Sequence, residues 1–100
     1  MADYTNAAQQ RLIRVIGVLF SDIVDGVTNS AIAREVDCSA AAVTRDLENL
    51  RTAGLAERNE ETGRWLLTPR LPRMALTAMT VIDQRQRRLD EVRQRMSAPL

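Results

Sequence analysis

The feature that most constrains the fold is a pair of short helical segments separated by only three residues, DCS. The first segment, NSAIAREV, follows Thr28, a residue type that caps helices well. Helical spacing directs Ile32, Ala33 and Val36 to its inward face. Asp37 comes next, and aspartate tolerates a left-handed backbone better than most residues do. We therefore expect a tight turn directly after this segment.

The second segment begins behind Ser39, another good N-cap, and closes at Gly54. It covers residues 40–53 and starts with three consecutive alanines. Apolar residues recur along it at spacings of four and three, which predicts an inward stripe: Val43, Leu47 and Leu50. Two short helices joined by a three-residue turn are the layout of a helix-turn-helix unit.

An amphipathic helix is predicted ahead of this unit, over residues 7–23. Its apolar residues recur at helical spacing with polar residues between them: Leu12, Ile13, Ile16, Leu19, Phe20 and Ile23. Asp25 and Gly26 then break the pattern. The helix-turn-helix unit is therefore preceded by one longer helix.

A short β-hairpin is predicted behind the unit, with strands over residues 55–58 and 64–68. Its tip is polar and holds Gly63, while Trp65 and Leu67 alternate onto one face, where they would pack beneath the hairpin. Three helices followed by such a hairpin make a winged helix-turn-helix, which we assign to residues 1–71. The predicted fold class is mostly α with a small β-hairpin.

A long helix is predicted over residues 72–100, because no helix breaker occurs between 73 and 96. Apolar residues recur in it every seven positions, as in a short coiled coil: Ala75, Ile82, Leu89 and Met96. Arg85 occupies the intermediate position and makes this seam imperfect. The pattern favours a homodimer. The alternatives are a helix folded back on its own domain and a basic helix that contacts DNA or another protein.

The sequence from residue 10 to residue 73 resembles the DNA-binding domain of the IclR family of bacterial transcription regulators. The most specific part is the wing, ETGRWLLTPRL, where the family typically shows E-T-G-R-aromatic-x-L-x-P-x-L. The IA pair at 32–33, the V-x-R at 43–45 and the leucine pattern over 47–55 also fit the family. The resemblance implies a regulator that binds double-stranded DNA.

Two features depart from that family. It usually has Gly at the position of Asp37 and Leu at the position of Cys38. Its members also carry a large C-terminal effector-binding domain, whereas this chain continues with a single helix, so we expect no small-molecule effector bound by that route. In overall build the chain is closer to small PadR-like and MarR-like regulators, which dimerise through a terminal helix.

The first turns of the second short helix would enter the major groove, where the small side chains of Ala40, Ala41 and Ala42 would allow close approach to the bases. The expected DNA contacts on this helix and on the wing are Ser39, Ala40, Ala41, Thr44, Arg45 and Arg64. Each has an ordinary structural explanation as well. Alanines are the best helix formers, Arg45 has Asp46, Glu48 and Asn49 as near neighbours, and Arg64 fits a solvated strand position.

Composition argues against several other functions. The chain has no His, a single Cys, scattered acids and no metal-ligand spacing, so we expect neither an enzyme nor a bound cofactor or metal. No signal peptide and no apolar stretch of the ~20 residues that a membrane span needs is visible, which predicts a cytoplasmic protein. The net charge of +1 identifies no partner.

A protein-interaction module is the main alternative to a regulator, because winged helices also serve as scaffolds in larger assemblies. The acidic wing tip, Asn59-Glu60-Glu61, favours that alternative, since two carboxylates would repel phosphates. If the chain does bind DNA, we expect low affinity for each domain, which makes two domains at one site more attractive.

Overall fold

The computed structural model describes residues 2–99, and over this range the chain forms four helices and two strands. Their order is α1 (Ala7–Phe20), α2 (Asn29–Val36), α3 (Ala40–Thr52), β1 (Ala56–Arg58), β2 (Trp65–Leu67) and α4 (Arg70–Ser97). The predicted class, mostly α with a small β-hairpin, is confirmed. The chain divides into two compact units, one ending at Arg70 and one beginning at Leu71. The outermost residues of the predicted regions, 1 and 100, lie outside the described residues.

The predicted caps of the two short helices are confirmed. The Thr28 hydroxyl accepts a hydrogen bond from the Ala31 N–H at 3.2 Å, and the Ser39 hydroxyl accepts one from the Ala42 N–H at 3.1 Å. Asp37 ends α2 in the left-handed region, with φ of 53° and ψ of 53°. The turn between α2 and α3 therefore depends on a backbone conformation that is costly for residues other than glycine.

The prediction for α1 is wrong in two respects. The helix ends at Phe20, not at residue 23, because the Ser21 backbone N–H donates to the Val18 carbonyl in a tighter turn. The Asp22 carboxylate then accepts from the N–H groups of Val24 and Asp25, which holds the chain in a loop. Its buried positions are Val15 and Leu19. Three predicted apolar positions are exposed instead: Ile13 at 61%, Phe20 at 42% and Ile23 at 50%.

The core of the first unit lies between α1, the helix-turn-helix and the hairpin. The predicted inward residues of both short helices are buried there: Ile32, Ala33, Val36, Val43, Leu47 and Leu50. Trp65 and Leu67 are also buried, as their alternation predicts, at 5% and 6% exposure. The two short helices are thus held against α1 and the wing by one continuous apolar core.

The hairpin pairs β1 with β2 in antiparallel register, with Ala56 opposite Leu67 and Arg58 opposite Trp65. A third segment, which the sequence did not predict, joins it through a bridge between Val27 and Trp65. The two residues exchange backbone hydrogen bonds of 2.9 and 2.8 Å. Gly26 makes this approach possible, because its φ is +85° and a Cβ there would lie 2.7 Å from the Trp65 carbonyl oxygen.

The helix α4 begins two residues before its predicted start and contains no buried residue over its length. Apolar side chains along it are exposed: Ile82 at 58%, Leu89 at 63% and Met96 at 72%. These are three of the four positions in the predicted seam. No helix in the described part of the chain is long and apolar enough to cross a membrane.

Candidate nucleic-acid interface

The first turn of α3 presents a small, exposed surface. Ser39, Ala40 and Ala41 are exposed, whereas Ala42 is buried at 7% exposure. The Ser39 hydroxyl is engaged as the cap of the helix. The two exposed alanines leave the backbone of this turn open to close approach. The prediction is wrong for Ala42, because its position on α3 directs its methyl group into the core.

Arg45 lies one turn further along α3 and is exposed. Among residues 2–99 its guanidinium takes part in no ion pair. The neighbouring acids have other partners, since Asp46 binds Arg11 and Glu48 lies 3.6 Å from Arg51. Arg45 is therefore a cation on the outer face of α3 whose charge is not neutralised by a neighbouring carboxylate.

Asp46 points in the opposite direction, into the first unit, and is only 5% exposed. Arg11 on α1 donates to both of its carboxylate oxygens, from Nε to Oδ2 at 2.6 Å and from Nη2 to Oδ1 at 2.9 Å. The hydrogen bond to Asp46 raises the pKa of Arg11, against a smaller opposing effect of desolvation. This bidentate pair ties α1 to α3 and fixes the orientation of the exposed face.

Thr44 connects the two short helices. Its hydroxyl donates to the Ala40 carbonyl at 2.9 Å and accepts from the Asn29 side-chain N–H at 2.8 Å. The Asn29 Oδ1 atom is buried and has no hydrogen-bond partner within the described chain. Thr44 is exposed, but its single hydroxyl proton is already donated to the Ala40 carbonyl. Its hydroxyl therefore positions α3 and has no free proton to donate to DNA.

The predicted wing residue Arg64 is exposed and turns back toward the loop before α2, where it donates to the Gly26 carbonyl at 3.2 Å. Asp22 lies in the same loop. Its carboxylate accepts from the N–H groups of Asp25 and Val24, and these bonds lower the pKa of Asp22, with a smaller contribution from the charge of Arg64. The hydrogen bond from Arg64 to Gly26 thereby links the base of the wing to the loop before α2.

The wing tip is a compact turn with one neutralised acid. The Asn59 side-chain oxygen accepts from the N–H groups of Glu61 and Thr62, at 2.9 and 3.3 Å. Arg58 binds Glu60 at 3.1 Å. Of the two tip carboxylates that would repel phosphates, the one on Glu60 is therefore compensated within the wing.

A groove of about 390 Å³ separates α3 from the wing. Its lining includes Trp65, over which the Arg51 guanidinium lies at 4.7 Å from the ring centroid. Thr44 and Arg58 line its sides. This stacking was not predicted from the sequence, although Arg51 follows Leu47 by four residues and therefore lies near the edge of the buried stripe. The stacking holds a second guanidinium beside the exposed face of α3, and Glu48, 3.6 Å away, is its ion-pair partner.

No group of three or more His, Cys, Asp or Glu side chains within the described range is placed to hold a metal ion. The surface instead combines exposed backbone, small side chains and guanidinium groups, two of which, on Arg51 and Arg58, are paired with Glu48 and Glu60. This chemistry suits a polyanion or a shaped protein surface.

In comparisons with known protein families and with curated proteins, nothing matches this chain. Several solved structures do match it. The Zalpha domain of cyprinid herpesvirus 3 ORF112, studied for its binding mode to Z-DNA, is 17% identical, with a TM-score of 0.54 over 60% of this chain and 95% of that one. The Zalpha domain of Carassius auratus PKZ, solved in complex with Z-DNA, is 23% identical, with a TM-score of 0.56 over 63% of this chain and all (100%) of that one.

A third similar structure is a mutant of ZitR from Lactococcus lactis, at 25% identity and a TM-score of 0.51. That match covers 92% of this chain and 63% of the ZitR chain. All three are winged-helix proteins. At these identities the likeness establishes the fold, and the chain has a winged-helix architecture.

Proposed function

We propose that this chain is a sequence-specific transcription regulator that binds double-stranded DNA as a homodimer on an inverted repeat. In this proposal it is a cytoplasmic binding protein and not an enzyme, and it takes no cofactor or small-molecule effector. The helix α3 enters the major groove, and the wing contacts the adjacent minor groove or backbone.

The exposed first turns of α3 carry the proposal. The major groove is ~12 Å wide, barely wider than a helix with its side chains. Ala40 and Ala41 let the backbone approach the base edges, and an alanine methyl can contact a thymine methyl. Arg45 lies on the same exposed helix without an acidic partner, so its guanidinium is available to a guanine or a phosphate.

The wing contributes Arg64, whose exposure supports a contact with DNA. Its hydrogen bond to the Gly26 carbonyl would have to break when the side chain reaches outward. We assign it a weaker contribution than Arg45 for that reason. The wing sequence also supports an IclR-type winged unit, because Gly63 has a φ of +74° in the turn and the aromatic and leucine positions of the motif, Trp65 and Leu67, are buried beneath it.

A protein-interaction module is the second candidate. Glu61 at the wing tip is exposed and takes part in none of the ion pairs within residues 2–99. An uncompensated carboxylate at that place favours a protein partner over a phosphate backbone. Salt dependence separates the two candidates, because neutralised phosphates release counterions and make DNA affinity fall steeply as salt rises.

The test is selection of bound duplexes from a random-sequence pool by the purified full chain, followed by a salt titration on the enriched sequences. The proposal predicts enrichment of a palindromic motif and a steep fall in affinity with salt. A duplex in the Z form is included as a separate probe, because two of the similar domains were studied with Z-DNA. Binding to that probe alone, or no enrichment at all, would contradict the proposal.

A further inference from the structure

The surface of α4 shows how two copies of this chain would pair, an inference that rests on the proposed homodimer. Extended at coiled-coil spacing in both directions, the seam contains eight positions, which we call the extended seam: Leu71, Ala75, Ala78, Ile82, Arg85, Leu89, Val92 and Met96. All lie on one helix, none is buried, and Ile82 and Leu89 are 58% and 63% exposed. We propose that this face packs against the same face of a second copy in antiparallel orientation.

Side-chain size supports the antiparallel orientation. The small residues of the extended seam, Ala75 and Ala78, lie in its first half, and larger ones, Leu89 and Val92, lie in its second half. An antiparallel pair centred between residues 83 and 84 places Ala75 opposite the partner's Val92. It also places Ala78 opposite the partner's Leu89. Each of these two layers then combines a small and a large side chain, so neither alanine faces a second alanine.

A parallel pair would join equal residues in every layer. Ala75 would face the partner's Ala75, and Ala78 the partner's Ala78, which leaves two consecutive layers underfilled. The layers of Leu89 and Val92 would be full by comparison. Antiparallel pairing therefore distributes the same side-chain volume better along the helix.

Charge gives an independent argument at Arg85, the single charged position of the extended seam. In a parallel pair Arg85 meets the partner's Arg85 in the same layer, and two guanidinium groups repel each other there. In the antiparallel pair it lies opposite the partner's Ile82. The two Arg85 residues then lie in adjacent layers, offset by ~4.5 Å along the axis. The aliphatic part of each can cover the partner's Ile82 while its charged end reaches solvent.

The flanking arginines lead to the same orientation. Parallel pairing would set Arg88 beside the partner's Arg93 at the positions where coiled coils normally place opposite charges. Antiparallel pairing sets Arg88 beside the partner's Val81, which is 46% exposed in the single chain. Arg88 also has a carboxylate on its own helix, since Glu91 lies 3.6 Å from it. Its stem can cover Val81 without bringing two cations together.

The length of α4 then determines the distance between the two Leu71 residues of the dimer, which begin the second compact unit of each copy. In this register Leu71 lies level with the partner's Met96, so the two Leu71 residues are separated by the rise from residue 71 to residue 96, about 38 Å. Half-sites one DNA turn apart are ~34–36 Å from each other. A parallel pair would bring the two Leu71 residues to the same end of the helices, ~10 Å apart.

Cysteine cross-linking tests the orientation without DNA, so its result is separate from that of the DNA experiment. The chain has one native cysteine, and the background variant is Cys38→Ala. Three variants are compared in the full chain after light scattering has established a dimer: Ala78→Cys, Leu89→Cys and the double variant. A short thiol cross-linker should give a covalent dimer with the double variant alone, joined between position 78 of one copy and position 89 of the other in the peptide map.

The other outcomes each overturn a defined part of the proposal. A covalent dimer from Leu89→Cys alone would establish parallel pairing. A dimer in solution whose double variant does not cross-link would show that another surface pairs. A monomer at all accessible concentrations would refute the homodimer itself, while DNA enrichment would still stand or fall on its own result.

A charge reversal gives a second measurement that needs no new cysteine. Arg88→Glu shortens the aliphatic stem that covers the partner's Val81 and brings a carboxylate close to that apolar side chain, so antiparallel pairing predicts a dimer dissociation constant about fivefold higher. Parallel pairing predicts tighter association, because the new carboxylate would face the partner's Arg93. Arg87→Glu is the matched control, since position 87 lies on the side of the helix away from the extended seam and should leave the constant unchanged.

Discussion

Arg11 and Asp46, which are 35 positions apart in the chain, form a bidentate ion pair between α1 and α3, with Nε–Oδ2 and Nη2–Oδ1 distances of 2.6 and 2.9 Å. The pair lies behind the exposed face of α3, and Asp46 is the one charged residue buried within the described chain. It therefore holds the helix that we propose to enter DNA. It also leaves Arg45 without its nearest acidic neighbour.

Removing the carboxylate of this pair should destabilise the winged unit. Asp46→Ala leaves the half-buried Arg11 guanidinium without its partner, and we expect the melting temperature to fall by roughly 10 °C. Glu48→Ala, on the exposed side of the same helix, should change it by no more than a few degrees. Thermal unfolding at one fixed protein concentration measures both melting temperatures. Equal changes for the two substitutions would show that the Arg11–Asp46 pair stabilises the unit no more than an exposed acid does.

Substitution of Gly26 and of Gly17 by alanine should change the free energy of unfolding in opposite directions. At Gly26 a Cβ would lie 2.7 Å from the Trp65 carbonyl oxygen and 2.8 Å from Leu66 Cγ, with φ at +85°, so Gly26→Ala should cost about 2 kcal/mol or more. At Gly17, inside α1, a Cβ would meet nothing within 4 Å, and Gly17→Ala should add about 0.5–1 kcal/mol. Urea unfolding gives both values. Similar stability in the two variants would refute the close approach at the Val27–Trp65 bridge.

Asp37→Gly should stabilise the chain. The residue has a left-handed backbone and places a negative charge at the C-terminus of α2, where the helix dipole disfavours it. We expect a gain of about 0.5–1 kcal/mol in the free energy of unfolding. Asp37→Asn removes the charge and keeps a residue tolerant of this conformation, so it divides the gain into its two causes. Loss of stability in the glycine variant would contradict this explanation of the turn.

Asp22 should make the stability of the loop before α2 depend on pH in the acidic range. The N–H groups of Asp25 and Val24 hold the pKa of its carboxyl below the ordinary value. The corresponding stabilisation is complete above the unfolded pKa of ~3.9 and is lost as the pH falls through the lower folded pKa. Asp22→Asn should therefore lose less stability than the wild type between about pH 5 and pH 2. Coincident curves of unfolding free energy against pH would be evidence against the role of these hydrogen bonds.

The helix-turn-helix was predictable because its signals are local. Thr28 and Ser39 cap within three residues of themselves, and the inward stripe of α3 follows directly from helical spacing. The hairpin was predictable for the same reason, since Gly63 and the alternation of Trp65 with Leu67 lie within a few residues of each other.

The parts that sequence reasoning missed depend on contacts between distant residues. Nothing near Val27 indicates that it pairs with Trp65, 38 positions later. The partner of Asp46 was equally hidden, although its place between Val43 and Leu50 on the inward side of α3 was a signal that its carboxylate would be buried. The early end of α1 depended on side-chain capping by Ser21 and Asp22, which hydrophobic periodicity does not report.

The most direct test of the proposed function measures the affinity of Arg45→Ala for the enriched duplex, beside the wild type and Arg14→Ala. The two substitutions remove the same charge, from the exposed face of α3 and from α1 respectively. If Arg45 contacts a base, its loss should weaken binding by ~1–3 kcal/mol and relax the sequence preference at one position. Arg14→Ala should bind as the wild type does. Equal affinities for all three proteins would contradict DNA recognition through the first turns of α3.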